Sequence, residues 1–225
     1  MNLKVIAFDA DDTLWDNEAY FLEAENKFCE LMEDYLPRHT VSRELLQTEI
    51  KNISLYGIKA FILSMIETAI RISDKTINVS VIEKIIGFGQ ELLEKPVHLI
   101  DGVEDVLSEV KGRYRLMMAT KGDLLDQERK LKKSGLASYF HHIEIMSEKK
   151  EEDYQKLIRH LDIKPTEFLM IGNSIKSDVL PVLNIGGHGF HVPYHTTWAH
   201  EKVDIQLEHP KFRQLTTIKG LLNLI

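Results

Sequence analysis

The chain has 225 residues, which is enough for one large domain or for a core with a smaller inserted module. Its 28 lysine and arginine residues face 35 acidic residues, and the formal net charge of −7 without a basic tract predicts no nucleic-acid binding. A single cysteine, Cys29, excludes an internal disulfide, and no apolar run reaches membrane-spanning length, so we expect a cytoplasmic protein without a membrane segment or an obligate protein partner.

The predicted elements begin with a buried strand over residues 3–8. From 16 to 94, apolar residues recur at helical spacing and no strand pattern interrupts them. Three groups carry this periodicity: Phe21–Met32, Phe61–Ile70 and Val81–Leu93. We therefore predict an all-helical module over residues 16–94.

The remainder of the chain, 95–225, alternates strand and helix patterns. Strands are predicted at 114–119, 143–146, 168–171, 189–192 and 204–207, and helices at 102–111, 123–134, 150–161, 177–183 and 216–223. Such alternation favours a parallel sheet. The predicted fold class is α/β, with a Rossmann-like parallel sheet core formed by 1–15 and 95–225 and with the all-helical module inserted after the first strand.

Two carboxylates, Asp9 and Asp11, follow the first strand directly. A strand end followed by a turn can aim both acids and the intervening carbonyl at one point, which suits Mg²⁺ or a carboxylate nucleophile. The alternative is a solvated acidic turn, since Asp is common in turns. The apolar pair Leu14 and Trp15 continues beyond the aspartates and argues against a surface turn.

Three further groups of polar residues each follow a predicted strand. Thr120 and its neighbour Lys121 stand at a strand-to-helix turn that could cradle a phosphate, although Thr is also an ordinary helix N-cap. Lys149 and Lys150 could supply one ammonium to a phosphate, but a lysine pair is more commonly exposed. Residues 172–178 (Gly-Asn-Ser-Ile-Lys-Ser-Asp) offer an amide and a carboxylate for a metal, or simply an acid in a first helical turn.

Taken in order, these motifs resemble the haloacid dehalogenase (HAD) superfamily, and within it the phosphatase-like members with a helical cap. The resemblance covers essentially the whole chain and makes 16–94 the cap. It implies Asp9 as the nucleophile, Asp11 as the general acid/base, and Thr120 and Lys149 as groups that bind the phosphoryl group. The implied Mg²⁺ ligands are Asp9, Asp11, Asn173 and Asp178.

The chain departs from the family pattern at two positions. Asp12 stands where the family often has Gly, and Asn173 stands where it often has Asp. An amide oxygen can still bind a metal but carries no charge, so Asp178 is expected to contribute more of the binding. Lys149 is preferred to Lys150 because its spacing to Tyr154 is closer to the family's third motif.

The function that these motifs predict is hydrolysis of a small phosphomonoester through an aspartyl-phosphate. A departing alkoxide needs a proton, which Asp11 can supply, whereas a departing halide does not. Phosphomutase and dehalogenase activities of the same superfamily stay open as alternatives. So does an inactive HAD-like binding protein, which Asn173 suggests, while a receiver domain conflicts with the chain length and the helical insertion.

The substrate is less constrained than the reaction. We predict that Tyr56 and Lys59, which flank the helix-breaking Gly57, contact the leaving group, although a plain helix–helix turn is an equal alternative. Lys121 is a third candidate for substrate binding. Residues 193–200 contain two histidines, but no suitable third ligand supports a zinc site, and a structural loop is the expected role.

Overall fold

The computed structural model describes residues 1–146, 148–196, 198, 201, 203 and 207–225. These residues form two compact units. One unit combines Met1–Glu18 with Val97–Ile225, and the other is Ala19–Pro96. Among the described residues, no helix is both long and apolar enough to span a membrane.

The first unit is built on a parallel sheet whose six strands in the described part run in the order β3-β2-β1-β4-β5-β6. The strands are β1 (Val5–Phe8), β2 (Arg115–Lys121), β3 (His142–Met146), β4 (Phe168–Gly172), β5 (His188–His191) and β6 (Phe212–Gln214). Every neighbouring pair is parallel. The predicted α/β class with a parallel sheet is therefore confirmed.

Strand β1 lies in the interior of the sheet, and both of its faces are buried. Successive side chains of a strand point to opposite faces, so Ile6 and Phe8 join one apolar core while Val5 and Ala7 join the other. Helices cover both faces of this unit. They are α5 (Val103–Val110), α6 (Leu124–Ser134), α7 (Glu151–His160) and α8 (Leu180–Asn184).

The second unit, which the structure describes without gaps, is helical throughout, as predicted. Its helices are α1 (Glu18–Leu31), α2 (Arg38–Lys51), α3 (Gly57–Ile72) and α4 (Val79–Glu94). The first residue of α1, Glu18, still belongs to the first unit. Helix α2 was not predicted from the sequence. Its buried face consists of Val41, Leu45 and Thr48, which is too little apolar character to create a clear periodic pattern.

Several element boundaries differ from the sequence-based expectation. The predicted helix at 177–183 starts earlier, as a π-helical turn at Ile175–Val179, and the final predicted helix is a 3-10 helix at Ile218–Asn223. Strand β6 was missed because three residues are too few for a period of two to stand out. Most of the predicted strand at 204–207 lies outside the described residues.

Candidate active site

The carboxyl ends of three adjacent strands bring the sequence motifs together. In the register, Phe8 of β1 pairs with Met118 of β2 on one side and with Ile171 of β4 on the other. The Asp9 N–H extends this ladder by donating to the Ile171 carbonyl at 2.8 Å. Parallel strands end at the same edge of a sheet, which is where open α/β sheets bind ligands. Thr120 is the last residue but one of β2, and its side chain is buried.

Lys149 joins the first and last motifs. Its Nζ donates to Asp9 Oδ1 at 2.5 Å and to Asp178 Oδ1 at 2.6 Å. The side chains of Lys149 and Asp178 are each 1% exposed. By contrast, the Lys150 side chain is exposed, and its Nζ lies 3.8 Å from Glu148 Oε2. The structure thus brings Lys149, and not Lys150, to the aspartates.

The buried charges of this trio influence each other. Burial alone would lower the pKa of Lys149, but Asp178 and Asp9 outweigh it and raise that pKa above its ordinary value, so the ammonium stays charged. Burial raises the pKa of Asp9 to about 7 against the opposing attraction of Lys149, and Asp178 adds to the rise. One ammonium therefore offsets the charge of two carboxylates only in part, and the trio keeps an excess of negative charge.

Gly172 makes room for Asp178. A Cβ at Gly172 would lie 2.1 Å from Asp178 Oδ2, so no other residue type fits without displacing the carboxylate. Asp178 Oδ2 also accepts the Ser174 N–H at 3.0 Å. The Tyr154 hydroxyl, fully buried, donates to the Ser177 carbonyl at 3.1 Å and fixes the π-helical turn that carries Asp178. The position of this carboxylate is accordingly determined from three sides.

The Asp11 carboxylate has a different set of partners. It accepts the Trp15 indole N–H at 2.7 Å, the Gln127 amide at 2.8 Å and the Lys130 ammonium at 2.9 Å. The Ala10 carbonyl, which the sequence suggested as a further ligand, instead accepts backbone N–H groups of the following turn, the shortest bond being 2.8 Å from Leu14. This oxygen therefore takes part in the turn that follows β1.

The first departure from the family pattern, Asp12, has a local structural role. Its φ of 60° lies in the left-handed region, where Gly is favoured and Asp is among the tolerated residues. Its carboxylate accepts the backbone N–H groups of Asn17 at 2.9 Å and Glu18 at 3.1 Å, at the start of α1. Burial raises the pKa of Asp12 to about 7.

The second departure, Asn173, is held by Thr13. The Thr13 hydroxyl donates to Asn173 Oδ1 at 3.4 Å and accepts the Asn173 N–H at 3.1 Å. The same hydroxyl lies 3.3 Å from Asp9 Oδ2. The amide oxygen of Asn173 is therefore linked to the Asp9 carboxylate through one intervening hydroxyl.

Lys121 belongs to a second ion-paired cluster, which the sequence did not reveal. Its Nζ donates to Ser177 Oγ at 2.9 Å and to Glu201 Oε1 at 2.6 Å. The other Glu201 oxygen accepts the hydroxyls of Ser174 and Ser177. Despite partial burial, Lys121 and these hydroxyls hold the pKa of Glu201 at about 2. Glu201 follows no motif in the sequence, and only the folded chain reveals it.

The remaining candidates are Tyr56, Lys59 and the segment 193–200. Tyr56, with φ of 47°, precedes α3, and Lys59 is exposed in the first turn of that helix, so both belong to the helical unit. In the segment 193–200, the Tyr194 hydroxyl donates to Asp16 at 2.7 Å, which fits the expected structural role. Thr197, Ala199 and His200 of that segment lie outside the described residues.

The donor set is compatible with Mg²⁺. Across the residues that the structure describes, no three His, Cys, Asp or Glu side chains form a metal site by themselves. Mg²⁺ needs fewer, because it keeps several waters and is commonly held by one or two carboxylates. Asp9 and Asp178 share Lys149 and provide two such carboxylates. Both oxygens of the Asp11 side chain are engaged by α6 and Trp15 instead.

Comparison with known proteins assigns the family. The family description "haloacid dehalogenase-like hydrolase" matches residues 3–186. The chain belongs to the haloacid dehalogenase-like hydrolases. A solved hydrolase of this family from Xanthomonas campestris is 36% identical, with a TM-score of 0.87, and the match covers 97% of this chain and 88% of that one.

More distant relatives of this HAD-like hydrolase add detail. A magnesium-bound HAD-hydrolase from Bacillus subtilis shares the fold over 100% of this chain and 99% of its own, with a TM-score of 0.70 at 17% identity. A 2-haloacid dehalogenase from Pseudomonas syringae, at 14% identity and a TM-score of 0.64 over 98% and 97% of the two chains, shows the same fold. The mouse N-acylneuraminate-9-phosphatase is 32% identical over 39% of this chain, and the chain spans 38% of that relative's length.

Proposed function

We propose that this hydrolase is a Mg²⁺-dependent phosphatase that cleaves a small phosphomonoester through an aspartyl-phosphate. The observation that carries the proposal is the buried trio in which Lys149 contacts Asp9 at 2.5 Å and Asp178 at 2.6 Å. Asp11 follows Asp9 by two residues and supplies a second carboxylate. A nucleophile with an adjacent general acid/base is the arrangement that two-step phosphoryl transfer requires.

In the first step, an Asp9 carboxylate oxygen attacks phosphorus, and the bond between phosphorus and the leaving oxygen breaks. Asp11, which enters this step protonated, donates its proton to the departing alkoxide and becomes a carboxylate. In the second step, Asp11 takes a proton from water, the water oxygen bonds to phosphorus, and the bond to Asp9 breaks. Phosphate leaves, and both carboxylates return to their starting states.

The surrounding residues support these steps electrostatically. The charged Lys149 ammonium offsets the charge that develops on the phosphoryl oxygens, and the Thr120 hydroxyl can turn from the Lys121 carbonyl, 3.1 Å away, to donate to the same oxygens. Asp9 and Asp178, with Asn173 as a further candidate, would hold Mg²⁺. When bound, the cation would neutralise the excess negative charge and favour the ionised, nucleophilic form of Asp9.

Asp11 is also what favours a phosphatase over its alternatives. A dehalogenase expels a halide, which needs no proton, so a second carboxylate has no task there. The contacts among Asp9, Lys149 and Asp178 argue against an inactive binding protein, since such a cluster is costly to bury without a function. A phosphomutase would use the same aspartate pair. It would be distinguished from a phosphatase by its product, because it forms an isomer of the substrate and releases no free phosphate.

We propose that the substrate is a small phosphorylated metabolite. We also propose that the enzyme acts in the cytoplasm, without a nucleic-acid or obligate protein partner. The name of the mouse relative makes a phosphorylated acidic sugar one member of the panel to be tested. Tyr56, Lys59 and Lys121 are proposed to influence which ester is preferred. Substitution of Tyr56 or Lys59 should then change the ranking of esters more than the Mg²⁺ requirement.

Two neighbouring lysines provide a matched test of the proposed function. Lys149→Met removes the buried ammonium, and Lys150→Met makes the same change at an exposed position. We expect Mg²⁺-dependent phosphate release from an aryl phosphate and from a panel of phosphomonoesters, abolished by a chelator and by Lys149→Met but retained in Lys150→Met. Undiminished turnover in excess chelator, or equal effects of the two substitutions, would contradict the proposal.

A further inference from the structure

The Asp11 carboxylate lies in a set of three donors that we call the α6 cradle: Trp15, Gln127 and Lys130. Oδ1 accepts two hydrogen bonds, from Trp15 at 2.7 Å and from Lys130 at 2.9 Å, and Oδ2 accepts one from Gln127 at 2.8 Å. The Lys130 side chain is 10% exposed and that of Asp11 is 23% exposed. The contacts are therefore partly shielded from solvent.

Helix α6 carries two of the three donors, Gln127 and Lys130. Gln127 and Lys130 are three residues apart, so they lie on the same face of the helix. The Asp123 side chain caps the helix by accepting the Asp126 N–H at 3.2 Å. At Gly122, whose φ is 137°, a Cβ would lie 2.9 Å from Gln127 Nε2, so glycine makes room for this amide. Gln127 also donates to the Lys121 carbonyl at 2.9 Å and so ties α6 to the end of β2.

The Lys130 ammonium has three oxygen neighbours. It donates hydrogen bonds to Asp11 Oδ1 at 2.9 Å and to Asn17 Oδ1 at 2.7 Å, and it forms an ion pair with Asp126 Oδ2 at 3.5 Å. A lysine held by three oxygens in this way has little freedom to move. It fixes its carboxylate partner as well.

We propose that Lys130 and Gln127 are positioning residues that orient the Asp11 carboxyl so that Oδ2 exchanges the proton with the leaving group and with water. A carboxylate has about four acceptor sites, two on each oxygen. The cradle fills both sites on Oδ1 and one on Oδ2, which leaves one site on Oδ2 for the transferred proton. The assignment rests on the proposed function, because it concerns the general acid/base of that reaction.

A purely structural ion pair makes different predictions. A positioning role acts through Asp11, so its loss should matter only while Asp11 can transfer a proton. It should also matter more for leaving groups that need the proton most. A structural role would lower activity for every ester alike and independently of Asp11. A double-mutant cycle separates these cases, because residues acting through one another are not additive.

The test compares Lys130→Met with Lys132→Met, the same change at an exposed position on the same helix. Because misplacement by about 1 Å can cost about 10²-fold, we expect Lys130→Met to lower kcat/KM by up to about 10²-fold for alkyl phosphates. The loss should be several-fold smaller for an aryl phosphate. It should be absent in Lys132→Met, and Lys130→Met should cause no further loss when Asp11 is already Asn. Lys130→Arg should retain most of the wild-type activity. Equal losses for both ester types, or the same loss in the Asp11→Asn background, would overturn the proposal.

Two further measurements keep the test decisive. If Lys130→Met fails to fold, Gln127→Leu takes its place in the same cycle, with the same expected pattern. A crystal structure of the folded variant reports the Asp11 orientation whatever the activity. A carboxylate that turns away from Trp15 supports the assignment, and an unchanged carboxylate overturns it. If the wild-type protein hydrolyses no phosphomonoester, the proposed function fails, while this structural comparison still decides whether the cradle positions Asp11.

Discussion

Replacing Gly172 by Ala should damage stability and activity together. The new Cβ would lie 2.1 Å from Asp178 Oδ2 and 2.7 Å from Asp178 Cβ, whereas real Cβ contacts essentially never fall under 3.0 Å. Reaching 3.0 Å requires a separation of about 0.9 Å (3.0 − 2.1) between Gly172 and the carboxylate. Asp178 is 1% exposed and cannot swing into solvent, so either β4 or the Lys149–Asp178 contact must shift.

The magnitudes follow from this displacement. Overpacking a close-packed interior costs about 1–3 kcal/mol of unfolding free energy. A shift of about 1 Å in a catalytic group can cost about 10²-fold in rate. Urea unfolding followed by circular dichroism measures the first quantity, and kcat/KM for an aryl phosphate at saturating Mg²⁺ measures the second.

Gly87→Ala is the matched control, because a Cβ there meets nothing within 4 Å. Gly87 lies inside α4, so alanine should raise the unfolding free energy by about 0.5–1 kcal/mol and leave turnover unchanged. If Gly172→Ala is as stable and as active as the wild type, the close approach of Gly172 to Asp178 does not exist in solution, and the account of how Asp178 is positioned fails.

Three further predictions concern individual carboxylates and the amide of Asn173 at the proposed metal site. Asp9→Asn should eliminate turnover, whereas Asp11→Asn should lower kcat/KM by about 10²–10⁴-fold, least for good leaving groups, and a loss independent of the leaving group would remove the acid/base role. Glu201→Gln should lower the unfolding free energy by about 3 kcal/mol near pH 7. The folded protein holds the pKa of Glu201 at about 2, below the ordinary value of 4.5, and this difference stabilises the fold fully at pH values above 4.5. The contribution decreases as the pH falls below 4.5 and is lost as the pH falls through 2. Urea titrations should therefore show a smaller difference near pH 3.5 than near pH 7, with exposed Glu104→Gln changing little at either, and a pH-independent difference would contradict the ion pair. Asn173→Asp should lower the half-saturating Mg²⁺ concentration, since an added negative charge attracts a divalent cation, and an unchanged Mg²⁺ titration would place Asn173 outside the metal site.

The parallel sheet and the helical insertion were predictable because their signals are local. Strand β1 is a short apolar run that ends at an acidic residue, and α3 and α4 have strong apolar periodicity. Helix α2 could not be predicted, because its buried face is only three residues wide and depends on neighbouring helices to become a face. Propensity and period describe an element only as far as the element buries its own apolar side chains.

For the candidate site, the order of motifs along the chain was sufficient to predict that Asp9, Lys149 and Asp178 lie close together. The partners of these motifs were not predictable. Lys130 lies 119 positions from Asp11, and Glu201 lies 80 positions from Lys121. Neither residue follows a strand or stands in a recognisable spacing, so their roles arise only from the packing of the folded chain.

The central claim is that Asp9 carries the phosphoryl group between the two steps. Rapid acid quench during turnover of a phosphomonoester, followed by borohydride reduction and peptide mass spectrometry, tests it directly. The account predicts that the peptide containing Asp9 carries one phosphoryl group, that reduction converts this residue to homoserine, and that Asp11→Asn increases the trapped fraction by slowing hydrolysis of the intermediate. Sustained turnover with no modification at Asp9, or with the phosphoryl group on another residue, would contradict it.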